Sequence, residues 1–285
     1  MAITKVVIPA AGLGTRFFPW SKSMPKELLP LGAYPAVAHV VHEAIRSGCS
    51  NVIMIAGSRK YAIIDYFEKA ELPATFSYIP QPEPRGLGHA VFMARHAVTE
   101  DYFGVMLPDE LFVGDKPGLA QLIEIAEREH ACVVGVLEVP QDTVGSYGII
   151  GVGRTLNPRL MEVNALIEKP KPEKAPSRFA LVGRYVLPRE IFNIFATLGP
   201  GAKGEIQLTD AIAQLLHMGV RVLACVVEGA RYDIGNPVGW MKAVVRFGID
   251  HPQYGPEIRE FITQQMTQLI AQDVGDQRVT QNLIP

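Results

Sequence analysis

The first half of this chain alternates short apolar, β-branched runs with stretches of helical periodicity, and few folds accept that pattern. KVVIPA, NVIMIAG, ATFSYIP and YFGVMLPD read as strands. Between them, PAVAHVVHEAIRSG, RKYAIIDYFEKA and LGHAVFMARHAV repeat apolar residues at helical spacing. In the first of these helices Val37, Val40, Val41 and Ile45 share a face, and Gly48 supplies the stop. GLAQLIEIAEREH and ACVVGVLEVP continue the alternation. Strands this apolar are buried on both sides, so the pattern specifies an α/β fold: a mostly parallel, twisted sheet with helices on both faces.

The middle breaks the rhythm. YGIIGVGR, RLMEVNALIEKP and RFALVGRYVLP are strand-like pieces without long helices between them, and they predict a mixed or antiparallel extension of the sheet. The helices EIFNIFATLG and QLTDAIAQLLHMG, the strand RVLACVVEG and the helix NPVGWMKAVVRFGID follow. From about His251 the chain is polar and helical, with a tail rich in Gln, Asp and Asn. The expected organisation is a domain over residues 1–250 and a helical segment with a tail over 251–285.

The chain has 285 residues, is 48% hydrophobic, and sets 27 Lys+Arg against 29 Asp+Glu. No polybasic tract is present, which argues against nucleic acid or an anionic membrane as partner. An anionic ligand must therefore be met by a few local cations. Cys49, Cys132 and Cys225 are far apart and show no C-x-x-C spacing, so they read as buried hydrophobes in a reducing compartment. With no apolar leader at the start and no membrane-length apolar run, a cytoplasmic protein is expected.

The stretch IPAAGLGTRFFPWSKSMPKELLP, residues 8–30, carries the chemistry. A glycine-rich turn after a buried strand reads as a phosphate device or, taken alone, as an ordinary surface turn with solvated cations. Two common forms are excluded: the dinucleotide fingerprint lacks its third glycine here, and the P-loop spacing is absent. Both also need a helix straight after the turn, which Pro19, Pro25 and Pro30 forbid. The reading is a long irregular loop whose backbone approaches an anion and whose Arg16 and Lys26 are spaced along a triphosphate.

AAGLGTRFFP…SMPKELLPL resembles the signature of the sugar-1-phosphate nucleotidylyltransferases, most closely the bacterial uridylyl-type members. The resemblance continues in the family's order through GLGHAV, LPD, YG, EKP, LVGRYVL, GEIQLTDAI and DIGN, spanning almost the whole chain. It implies a Rossmann-like nucleotidyltransferase fold, UTP and glucose 1-phosphate as substrates, Mg²⁺ as cofactor, and a homo-oligomer. Carried over by residue, it places Ala10, Ala11, Gly12, Gly14, Thr15, Glu27, Gln81 and Gly86 on the nucleotide. Gly148, Glu168, Gly183 and Glu205 fall on the sugar. Arg16 and Lys26 go to the phosphates, Lys169 to the sugar phosphate, and Asp109 and Asp233 to the metal.

From the residues alone, each aspartate also reads as a turn or helix-cap residue, and Gln81 as a polar loop residue. His89, at a helix start, reads as structural. Two features depart from the resemblance. ELP at residues 71–73 joins helix to strand directly, where the uridylyl-type enzymes carry a helical insertion. QPEPRGLGHAV mixes features: Gln-Pro-x-Pro at 81–84 resembles the thymidylyltransferase relatives and Gly-Leu-Gly-His the uridylyl type, so the same chemistry with another nucleotide or sugar, thymidylyltransferase-like, is an alternative. A non-catalytic regulatory paralogue is another, but it would be expected to have lost one of Arg16, Lys26, Asp109, Lys169 or Asp233.

Overall fold

The computed structural model describes residues 2–57, 61–199, 201 and 204–281, with side chains to residue 270. The chain runs β1 (Lys5–Ala10), the hairpin β2 (Pro30–Leu31) and β3 (Tyr34–Pro35), α1 (Ala36–Arg46), β4 (Asn51–Gly57), α2 (Tyr61–Glu68) and β5 (Thr75–Gln81). Next come α3 (Leu87–Met93), β6 (Tyr102–Met106), β7 (Glu110–Val113), α4 (Gly118–Glu129) and β8 (Cys132–Glu138). The remainder is β9 (Gly148–Asn157), β10 (Leu160–Glu168), β11 (Phe179–Pro188), α5 (Ile191–Thr197), α6 (Leu208–His217), β12 (Val222–Val226), β13 (Ala230–Asp233), α7 (Pro237–Ile249) and α8 (Gly255–Gln281). Arg59 and Lys60, read as the start of a helix, lie outside the described residues, as does the tail from 282.

One nine-stranded sheet has the order β5-β4-β1-β6-β11-β8-β12-β10-β9. β5, β4, β1 and β6 are parallel, and β8 pairs β12 in parallel. β11 runs antiparallel between β6 and β8, and β10 runs antiparallel to both β12 and β9. The α/β reading of the first half and the antiparallel extension of the middle are both observed. Alternation along β1 explains the two-sided burial: Val6 and Ile8 enter the core under α1 and α4, while Val7 enters the core under α3, α5 and α6. Each such fully buried side chain contributes about 1.5–3 kcal/mol.

Two local features position the site. The proline-punctuated loop forms three single 3₁₀ turns, Thr15–Phe17, Trp20–Lys22 and Lys26–Leu28, with Pro19 and Pro25 capping the second and third. It is braced by α7, where Trp240 meets Phe17 and Trp20 at ring separations of 6.5 and 5.7 Å. The second feature is a two-stranded ribbon of β7 and β13. The sequence reading ran one strand directly into Asp109 and placed Asp233 in a strand-to-helix turn. Four-residue strands are too short for alternation to reveal them. The three cysteines are buried and unpaired, and burial pushes Cys49 and Cys132 up to about 12. Among the described residues, no helix is long and apolar enough to cross a membrane.

Candidate active site

The ribbon brings the two sequence-predicted aspartates together. Asp233 sits opposite Glu110, the neighbour of Asp109, and Ile234 N donates to Asp109 O at 2.8 Å. Gly235 N donates to Asp233 Oδ1 at 2.8 Å. A Cβ on Gly235 would stand 3.1 Å from both Asp109 Oδ2 and Asp233 Oδ1, so the glycine leaves open the space on which both carboxylates converge. No cluster of three or more metal-ligating side chains exists among the described residues. Two oxygen donors still fit Mg²⁺, which is commonly held by one or two carboxylates plus phosphate oxygens and waters.

Lys26 reaches this point from the glycine loop, and its Nζ lies 2.6 Å from Asp109 Oδ2. Burial works against the ammonium, but Asp109 and Glu27 outweigh it and hold Lys26 above its usual range. Burial likewise opposes the Asp109 charge, and Lys26 outweighs it, so the carboxyl is held below its usual range. Arg16 is exposed at the rim and makes no side-chain hydrogen bond among the described residues. Thr15 and Gly12 are also exposed. Gly14, at φ 67°, turns the chain into the first 3₁₀ turn, and its carbonyl accepts from Ser21 Oγ at 2.6 Å.

The segment carrying Asp109 is pinned from beneath by a pair the sequence did not single out. Arg184 is 0% exposed and grips Glu43 with two bonds, Nε to Oε1 at 2.9 Å and Nη2 to Oε2 at 2.6 Å. The same guanidinium donates to Glu110 O at 2.7 Å and Leu107 O at 3.2 Å, the residues flanking Asp109. Gly183, at φ 76° in a bulge of β11, accepts from Leu107 N at 2.8 Å. A Cβ there would meet Glu110 Cγ at 2.9 Å.

On the other side, Glu168 closes β10 and Lys169 adopts φ 45°, the left-handed region uncommon outside glycine. Strand alternation would point these neighbours to opposite faces; the turn at Lys169 lets both serve one place. Lys169 Nζ lies 2.6 Å from Glu168 Oε1, and Thr209 Oγ1 donates to Glu168 Oε2 at 2.7 Å. A Cβ on Gly148 would stand 2.9 Å from Thr209 Oγ1, so only glycine keeps that arrangement. Arg231 ties this side to the ribbon: it grips Glu110 at 2.6 and 2.7 Å and lies over the Tyr147 ring. Tyr147 O in turn accepts from Lys169 N at 3.0 Å.

Adjoining clefts of about 450 and 410 Å³ open beside the glycine loop. Gln81, Gly86, Glu27, Lys26, Ala11 and Gly12 line the second. Ala10 is the last residue of β1. Gln81 is only 4% exposed, and its Nε2 lies 2.8 Å from His89 Nδ1. Glu205, expected on the sugar, lies against Gly86: a Cβ on that glycine would stand 2.9 Å from Glu205 Cβ. Gln207 Nε2 donates to Glu205 at 3.0 Å. The structure thus gathers the predicted nucleotide residues, both aspartates and Lys26 in one place, with Glu168, Lys169 and Gly148 in a second, linked cluster. Sequence reasoning missed Glu43, Tyr147, Thr209, Arg184 and Arg231, although Tyr147, Thr209 and Arg184 lie inside quoted motifs.

The model of the nucleotidyl transferase family matches residues 5–246. This chain belongs to that family. It is 40% identical over 282 residues to the UTP–glucose-1-phosphate uridylyltransferase YngB of Bacillus subtilis, covering 91% of this chain and 94% of that one. It is also 40% identical to UTP–glucose-1-phosphate uridylyltransferase 2 of Staphylococcus saprophyticus, covering 91% and 97%. Among solved structures, the UTP-bound UGPase from Acinetobacter baumannii superposes with a TM-score of 0.83 at 36% identity, covering 92% of this chain and 99% of that one. A UDP-glucose pyrophosphorylase complexed with UDP-glucose gives 0.81 at 33% identity, covering 86% and 98%.

Proposed function

We propose that this nucleotidyl transferase joins UTP and glucose 1-phosphate to give UDP-glucose and pyrophosphate. The observation that carries the reading is the convergence of Asp109, Asp233 and Lys26 beside a glycine-rich cleft, with the Glu168–Lys169 pair tied to them through Arg231. An oxygen of the sugar phosphate attacks the α-phosphorus in line. The α–β bridging bond breaks and pyrophosphate leaves. Proton abstraction by a strong base is not required, so catalysis rests on holding two anions together and stabilising charge on the phosphoryl oxygens.

Arg16 meets the β- and γ-phosphates. Lys26 exchanges Asp109 for phosphate oxygens, and Lys169 holds the sugar phosphate. Ala10, Ala11, Gly12, Gly14, Thr15 and Gly86 offer backbone to the nucleotide, with Glu27 near the nucleoside. Glu168 and the backbone of Gly148 and Gly183 face the sugar, and Glu205 reaches it from the Gly86 side of the cleft. Asp109 and Asp233 would hold Mg²⁺, which when bound supplies charge neutralisation between the phosphates. The setting is cytoplasmic and the protein a homo-oligomer; exposed apolar residues on α7 and α8 such as Met241, Val245, Phe261 and Ile270 support the second of these.

A panel of UTP, dTTP, CTP, ATP and GTP with several sugar 1-phosphates and Mg²⁺, read by pyrophosphate release, tests this. UTP with glucose 1-phosphate is expected to be the best pair. Preference for dTTP would favour the reading suggested by Gln-Pro-x-Pro at 81–84, and no release with any pair would overturn the transferase reading.

A further inference from the structure

We propose that Arg231 is a positioning residue for the glucose 1-phosphate side of the site: it braces Tyr147 against the β7–β13 ribbon, and Tyr147 holds the turn that aims Lys169. This rests on the reading of Glu168 and Lys169 as the sugar-phosphate cluster.

The turn at Lys169 needs a brace. A residue with a Cβ at φ 45° is strained, and such a conformation persists only where its neighbours hold it. The Lys169 side chain is half exposed, and its Nζ bonds only Glu168 among the described residues. Its backbone therefore carries the restraint, with Lys169 N donating to Tyr147 O at 3.0 Å. Tyr147 itself ends the 3₁₀ turn Gln141–Ser146, and its N donates to Val144 O at 3.1 Å. That turn rests on a small core of its own, formed by Val139, Val144, Ile149 and Ala180, apart from the two large cores of the sheet. So few buried apolar contacts fix a segment weakly, and a contact from outside counts for more there.

Arg231 supplies that contact. Its Nε and Nη2 donate to the two Glu110 oxygens at 2.7 and 2.6 Å. The remaining nitrogen, Nη1, lies 3.5 Å from the Tyr147 hydroxyl, and the guanidinium carbon stands 5.1 Å from the ring centroid. At these distances the ring face is the stronger part of the contact. Among the described residues, no other side chain of the ribbon makes a hydrogen bond or ring contact to Tyr147. The ribbon has support of its own: four register pairs join its strands, and Arg184 donates to Glu110 O at 2.7 Å. Removing the Arg231–Tyr147 contact therefore frees the turn and leaves the ribbon in place. This asymmetry gives the proposal its direction, because the loss falls on glucose 1-phosphate and spares UTP.

The test uses the purified full chain with Mg²⁺, measuring kcat and the KM of each substrate by pyrophosphate release. Arg231→Met is made on a Glu110→Gln background, so that no carboxylate is stranded, and is compared with Glu110→Gln alone. The proposal expects kcat/KM for glucose 1-phosphate to fall about tenfold or more while KM for UTP stays within about threefold. Tyr147→Phe keeps the ring face and should stay within about threefold of wild type, whereas Tyr147→Leu removes it and should reproduce the loss. Adding Tyr147→Leu to the Arg231→Met protein should cost little more, since both changes remove one contact. If the Arg231→Met protein does not fold, judged by its melting transition, the two Tyr147 variants carry the test. A matching rise in KM for UTP, fully additive losses, or a phenylalanine variant as poor as the leucine one would each overturn the proposal. Lys169→Ala separates it from the reading it rests on. An unchanged KM for glucose 1-phosphate in Lys169→Ala would overturn the sugar-phosphate cluster and this proposal with it. A raised KM there, with unchanged Arg231 and Tyr147 variants, overturns this proposal alone.

Discussion

Two cation–carboxylate pairs meet at the segment carrying Asp109, and they differ in how they are built. Arg184 and Glu43 are 0% and 8% exposed, share two short bonds, and hold four further backbone groups: Leu107 O, Gly183 O, Glu110 O and Leu119 N. Lys26 and Asp109 share one contact at the cleft, with side chains 16% and 31% exposed. A buried ion pair with every donor occupied cannot trade partners without leaving a charge stranded. A lysine with one contact and open space beside it can pass from a carboxylate to a phosphate. Residue chemistry follows the same division: arginine's planar fork suits fixed, multidentate bonding, and lysine's mobile point charge suits exchange. Under the proposed function, the difference teaches that the floor under Asp109 is fixed while its upper side is left for substrate to rearrange.

Substitutions can break this contrast from either end. The largest effect is expected at the exchangeable side: Asp109→Asn and Asp233→Asn should each bring turnover to background while the melting transition stays near wild type. Near-normal rates in either variant would remove that residue from the metal-binding role. At the fixed side, Arg184→Met strands the Glu43 carboxylate and should cost about 3–5 kcal/mol of folding stability, read by denaturant titration. The double variant Arg184→Met/Glu43→Leu should recover much of that loss, since apolar replacement of a buried pair is often neutral. A double variant no better than the single would mean the pair is worth more than its desolvation.

The smallest effect concerns pH. His39 holds the end of the Lys26 loop, with Nε2 at 2.9 Å from Leu31 O and its ring 4.4 Å from Phe247. Burial keeps its pKa below the usual value. As pH falls below about 6.5 the unfolded chain therefore takes up this proton first, and stability declines until the folded value is passed. His39→Gln keeps a donor for Leu31 without titrating. Its melting temperature should fall less than that of wild type between neutral pH and about pH 5.5, and an identical fall would exclude His39 as a contributor.

Legibility in the sequence follows the same contrast. Period-2 and period-3.6 patterns announced the sheet and its helices because burial acts on every second or third residue there. The glycine-rich loop was legible because prolines fix the backbone and glycines free it where other residues are strained. Glu43 was not, since on a helix it reads as one more surface charge; only a partner 141 positions away makes it buried. The β7–β13 ribbon was hidden by its short strands, and the turn at Lys169 by the absence of glycine at a left-handed position.

The claim that Lys26 is held ready for exchange is tested most directly by steady-state kinetics of Lys26→Ala, with UTP and glucose 1-phosphate varied separately. The account predicts a kcat lowered by about 100-fold or more with an unchanged melting temperature, since one aligned stabiliser of phosphoryl charge is lost. A change confined to KM, or a collapse of stability like that expected of Arg184→Met, would contradict it.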